Sequence, residues 1–222
     1  MNLLSTSTFR SGTLNRKRVA LGLAGVAIIL RMGSDWIFPK GGPLYYQGIQ
    51  AGLLLLAVLC LWPRLDTVFL TGGRFKSSIR EGLLAVPISL VAGLAVSWFL
   101  FGGPKWPTLA QAAIVIGNNL FFPMVEELEF RGFFLSWTLE RGVSPSLAIW
   151  LVAVMHLVAH MHLFWQHNWI LAGTTLLLFV WFGSLTVRTR NLWGAFVAHA
   201  SANIFMFLPT IGSGIDIGRP GK

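Results

Sequence analysis

Glu126 and Glu127 stand side by side in an apolar stretch, with Arg131 four residues after the second. The same spacing recurs downstream in His156 with His160 and in His199 with Asn203. Residues four apart lie one above the other on a helix, so each pair presents a polar patch on an otherwise apolar element. Carboxylates in such a run are costly and default to a functional role. Arg131 can neutralise Glu127 through an i,i+4 ion pair, while Glu126 points about 100° away on an α-helix. Glu126 is thus the carboxylate left for chemistry, as a general base that takes a proton from water. His160 and His199 can orient that water, bind a metal or donate to an oxyanion, and Asn203 offers an amide donor of the kind that stabilises tetrahedral intermediates. Together these groups describe amide hydrolysis.

The elements that must bring these residues together are membrane helices. Of the 222 residues 55% are hydrophobic and 11% charged, with a mean hydropathy of +0.68. That leaves too little charge to cover a soluble fold, and the apolar content runs through the whole chain. Runs long enough to cross about 30 Å of hydrocarbon fall at roughly 18–38, 44–63, 82–101, 108–139, 145–165, 169–187 and 191–208. The expected fold is all-α, a polytopic membrane bundle of about seven transmembrane helices forming a single integral-membrane domain over 1–222. The fourth run is the longest and is expected to tilt, kink near Pro123 or extend beyond the bilayer. Arg16 to Arg18 ahead of an apolar run resemble a signal peptide, but without a clean cleavage site the segment reads as a retained first helix.

The net charge of +9 does not indicate nucleic acid, because the basic residues sit at the ends of apolar runs and form no stripe interleaved with aromatics. Arg10, Arg16, Lys17, Arg18, Arg64, Arg74, Lys76, Arg80, Arg141, Arg188 and Arg190 fall on one side of the expected topology, against Lys40, Lys105, Arg219 and Lys222 on the other. The positive-inside bias puts the N-terminus in the cytoplasm and the C-terminus outside. Trp36, Trp62, Trp106, Trp165, Trp169 and Trp193 lie near expected helix ends, as indole at an interface does. Cys60 is the only cysteine, which excludes an intrachain disulfide and makes it an apolar filler. Arg31 and Asp35 read as an internal i,i+4 ion pair, and His162 and His167 as interface residues. Asn118 and Asn119 read as helix-packing polar groups. Glu129 reads as a solvated bystander at the cavity mouth.

Glu126-Glu127-x-x-x-Arg131, then a helical histidine, then His199-x-x-x-Asn203, resembles the CPBP (Abi) family of intramembrane proteases, which groups CAAX prenyl proteases with bacteriocin-processing enzymes. The resemblance covers about 108–208, the expected protease core. Members carry Phe-x-x-x-His as the middle motif. Aligning it on His160 puts His156 at the Phe position, and aligning it on His156 puts Val152 there; the small-residue approach Val158-Ala159 favours His160. The resemblance implies that Glu126 and His160 activate water, that His199 and Asn203 hold the oxyanion, and that Glu127, Arg131 and His156 support the site or the substrate. It leaves the metal question open between no cofactor and a divalent ion such as zinc, with Glu126, His160 and His199 as candidate ligands. His156-x-x-x-His160 has two-His spacing, yet the His-Glu-x-x-His motif is absent.

The expected partner is a membrane-associated peptide or protein bearing a CAAX-type tail, a leader or a C-terminal sorting anchor, and the expected location is a prokaryotic cytoplasmic membrane. Two rival readings use the same residues. A proton-coupled transporter would relay protons through them, although no internal repeat supports one; a non-catalytic immunity or scaffold protein would keep only the fold.

Overall fold

The computed structural model describes residues 5–37, 44–62, 64–160 and 169–211. Among them every regular element is helical: α1 (Ser5–Ile37), α2 (Leu44–Leu61), a short 3-10 turn (Leu65–Val68), α3 (Phe75–Gly82), α4 (Ala85–Phe101), α5 (Leu109–Glu127), a π-helix (Leu128–Leu135), α6 (Ser136–Glu140), α7 (Pro145–Val158), α8 (Trp169–Thr189) and α9 (Trp193–Phe207). The all-α expectation holds. Three stretches are long and apolar enough to cross a membrane, namely Phe75–Phe99, Leu109–Glu140 and Leu171–Thr189. Tyr46–Leu61 and Pro145–Val158 are apolar but shorter. Expected positions at Trp165, His162, His167 and the tail beyond residue 211 lie outside the described residues.

The starts of the elements follow local chemistry. Thr108 and Gln111 form a reciprocal capping box at the head of α5, which satisfies two otherwise orphaned backbone donors. Pro145 opens α7, where its missing N–H costs nothing. The expected long fourth run is one continuous helical rod from Leu109 to Glu140 with Pro123 inside it. Its middle winds as a π-helix, and every residue from Glu126 to Phe133 is buried. An α-helix with a lipid-facing side cannot bury so long a consecutive run. The widened i→i+5 turn, a feature frequent at functional sites, lies immediately after the paired carboxylates.

Two packings hold this rod. On one side α1 lays Ala20, Ala24 and Ala27 against Leu54, Ala57 and Leu61 of α2, in a cluster that includes Leu128, Phe130, Phe133 and Leu135 of the π-helix. Small residues at i, i+4 and i+7 let helix backbones approach closely. On the other side α9 packs on α3 and α4 with no room for side chains. A Cβ at Gly82 would collide with the Gly194 carbonyl, one at Gly194 with the Ser78 carbonyl, and one at Gly93 with the Phe205 carbonyl. The Gly194 N–H donates to Ser78 Oγ at 2.8 Å. The head of α9 is tied to the loop after α2, where Leu192 N–H donates to the Phe69 carbonyl at 3.0 Å and Trp193 Nε1 to the Leu70 carbonyl at 2.9 Å. These contacts fix where α9 carries His199.

Candidate active site

The described structure brings Glu126, Glu127, Arg131, His156, His160 and His199 into one cluster. Glu127 and Arg131 form the expected i,i+4 ion pair at 3.0 Å, both fully buried. Arg131 also directs Nη1 to His156 Nδ1 at 2.6 Å and donates Nη2 to the Phe179 carbonyl at 3.2 Å. Its guanidinium carbon lies 5.0 Å from the centre of the Phe179 ring and 5.6 Å from that of Phe182, a cation–π arrangement at a desolvated site.

Hydrogen-bond roles assign the histidines. A guanidinium only donates, so His156 Nδ1 must accept from Arg131, and Nε2–H is left to donate to Glu126 Oε2 at 3.1 Å. The ring is held in plane between Phe130, at 4.0 Å and 11°, and Phe179, at 3.6 Å and 1°. His199 Nδ1 lies 2.8 Å from Glu127 Oε1 and donates to that carboxylate, which leaves Nε2 unprotonated in the neutral ring and 3.6 Å from Glu126 Oε2. His160 Nδ1 donates to the His156 carbonyl at 2.9 Å, which leaves its Nε2 toward Arg31 Nη2 at 3.4 Å and 4.0 Å from Glu126 Oε1. Of the two histidines, His156 near the end of α7 touches Glu126 directly, and His160 in the turn that follows flanks it.

One sequence expectation differs from this geometry. Glu129 is fully buried rather than solvated; Gln50 of α2 donates to its Oε2 at 2.8 Å, and Oε1 has no partner. The π-helix turns this side chain inward, where α-helical counting points it elsewhere. Arg31 places Nη1 2.5 Å from Glu126 Oε1 and Nη2 3.4 Å from His160 Nε2; its expected ion pair with Asp35 lies outside the described residues. Asn119 donates to the Val115 carbonyl of its own helix at 2.9 Å, and Asn118 is exposed. Asn203 follows His199 by one turn on α9 and is half-buried, with no contact to the carboxylates among the described residues. Gln50 was missed altogether. Its signal was a lone amide, with Gln47, in an otherwise apolar α2.

The donors do not suit a divalent ion as arranged. Ligand atoms of Glu126, His156 and His160 lie within 4.8 Å of one another, but both His156 nitrogens are engaged, one by Arg131 and one by Glu126. The Arg31 guanidinium already sits between Glu126 Oε1 and His160 Nε2. A cation of the protein's own therefore stands where two of the three expected ligands, Glu126 and His160, would meet a metal, and repels another.

Compared with known families, residues 107–205 match the one described as type II CAAX prenyl endopeptidase Rce1-like. Neither curated proteins nor solved structures give a match. The matched segment runs from just before α5 to near the end of α9 and holds Glu126, Glu127, Arg131, His156, His160, His199 and Asn203. Arg31 and Gln50 lie outside it.

Proposed function

We propose, from the match of residues 107–205 to the family described as type II CAAX prenyl endopeptidase Rce1-like, that this integral membrane protein hydrolyses a peptide bond of a membrane-associated substrate with Glu126 as general base. The observation that carries the reading is Glu126 itself, buried yet placed against His156 and His199 at the inner end of a cluster whose outer members, Arg31 and His160, retain some exposure.

In the proposed reaction Glu126 takes a proton from a water molecule, and the resulting hydroxide oxygen attacks the carbonyl carbon of the scissile bond. The carbonyl electron pair moves to oxygen, giving a tetrahedral oxyanion. Collapse of that intermediate re-forms the carbonyl and breaks the C–N bond, and protonated Glu126 returns its proton to the departing amine. His156 fixes the carboxylate through Oε2. A protonated His199 Nε2, with the Asn203 amide one turn on, supplies the oxyanion donors, and His160 flanks the other carboxylate oxygen. Glu127 and Arg131 hold His199 and His156 in place from behind.

The family description supports a prenylated CAAX-type tail as the substrate, with the bond cut beside the lipidated residue. The test is cleavage of a farnesylated peptide by the purified protein in lipid vesicles, set against Glu126→Gln and His199→Ala. Wild-type cleavage lost in both variants supports the reading. Retained cleavage in Glu126→Gln overturns it, and pH-driven proton flux without cleavage would favour the relay reading instead.

A further inference from the structure

The family segment contains two adjacent buried carboxylates and a single buried guanidinium, that of Arg131. Arg131 is committed to Glu127, His156 and the Phe179 carbonyl, and His156, accepting at Nδ1 and donating at Nε2, is a neutral ring. Within that segment no fixed cation is left for Glu126, because His160 and His199 carry charge only when doubly protonated. A buried carboxylate without a partner is strongly disfavoured.

The missing charge comes from α1. Ala20, Ala24 and Ala27 are fully buried along one face of that helix, and Arg31 is the next residue in the same register, four beyond Ala27. The small-residue face thus sets the depth and rotation that deliver the guanidinium to Glu126 Oε1 at 2.5 Å. A second contact from the same hairpin, Gln50 of α2 to Glu129, holds α2 against the π-helix.

We propose that Arg31 is the positioning residue of the base: it is the fixed counter-ion of Glu126, and by holding Oε1 it presents Oε2 to the His156 and His199 side of the site. The inference rests on the proposed hydrolytic role of Glu126 and extends the active unit to the N-terminal hairpin. The two ends of the carboxylate then have separate tasks. Oε1 is anchored by the rigid planar fork of a guanidinium, and Oε2, held by one neutral donor, is the end that meets the reacting groups. On this reading Arg31 acts on the reaction through Glu126, so it governs turnover rather than affinity.

The experiment uses the full-length protein in vesicles with a farnesylated peptide. Arg31→Gln should lower kcat by about 10²-fold, the scale of a misplaced catalytic group, with KM within about twofold of wild type, and Arg31→Lys, which keeps the charge without the fork, should restore only part of the loss. A raised KM at preserved kcat, or no effect on either, would overturn the proposal. A thermal double-mutant cycle with Glu126→Gln reads the contact without any cleavage. The double variant should lose less Tm than the two single losses combined, and strict additivity would also overturn the proposal. Absence of cleavage by the wild-type protein would instead overturn the hydrolytic reading, and the cycle would still decide whether Arg31 is the counter-ion of Glu126.

Discussion

Glu127 and Glu126 are neighbours in the chain, yet Glu127 takes its guanidinium from four residues away on its own helix and Glu126 takes its own from α1. The first pair is sealed: Glu127 and Arg131 side chains are 0% and 1% exposed. The second stands nearer the surface, with the Arg31 side chain 17% exposed and that of Glu126 8%. A local pair of this kind forms whenever the helix forms and can serve as scaffold. A pair made across helices depends on the whole bundle and leaves one carboxylate oxygen facing the histidines. Under the proposed hydrolysis, the inner pair is structural and the outer one carries the chemistry.

The most direct way to break that contrast is to remove each member in turn. Glu126→Gln keeps shape and hydrogen-bonding capacity but cannot act as a base, so cleavage should fall by about 10²–10⁴-fold while thermal unfolding in detergent stays cooperative. Arg131→Met does the opposite. It strands a fully buried Glu127 and uncouples His156, and its cost of about 3–5 kcal/mol should appear as loss of folded protein on size-exclusion chromatography. An active Glu126→Gln variant, or a fully stable Arg131→Met, would reverse the assignment of the two pairs.

The inner pair was legible in the sequence because its information is local: Glu127 and Arg131 are one helical turn apart, and any helix brings them together. Helical spacing likewise put His156 and His160 on one face, but it could not say which of them reaches Glu126. That depends on Arg131 and on the stack between Phe130 and Phe179, contacts made across helices. The Arg31 contact was illegible for the same reason, since Asp35 offered a nearer partner. Glu129 was misplaced by a different cause. Its direction was counted on an α-helix, and the π-helical turn after Glu127 rotates it inward; no pattern of apolar residues announces that change of winding. Among the described residues three helices are long and apolar enough to span, while α2 and α7 match the composition of a span without its length.

A subtler perturbation moves a partner of the inner pair instead of deleting it. Gly194 meets Ser78 backbone where a Cβ would collide, so Gly194→Val must push the head of α9 away from α3 and carry His199 off Glu127. Overpacking of this kind costs about 1–3 kcal/mol. The expected signature is a lowered Tm together with a reduced kcat, and a variant with lowered Tm but unchanged kcat would show that the 2.8 Å contact of His199 with Glu127 is not needed for turnover.

The smallest expected effect concerns the third buried carboxylate. Glu129 has one donor, Gln50, and one orphaned oxygen, and it touches neither guanidinium in any described hydrogen bond or ion pair. Gln50→Leu alone leaves Glu129 without its donor and should cost about 1–3 kcal/mol. Replacing both partners, Gln50→Leu with Glu129→Met, removes the polar groups together and should return stability to within about 1 kcal/mol of wild type, with cleavage changed by no more than a few-fold. If the double variant is as inactive as Glu126→Gln while remaining folded, Glu129 takes part in the chemistry. The division between one sealed and one working carboxylate would then have to be redrawn among three.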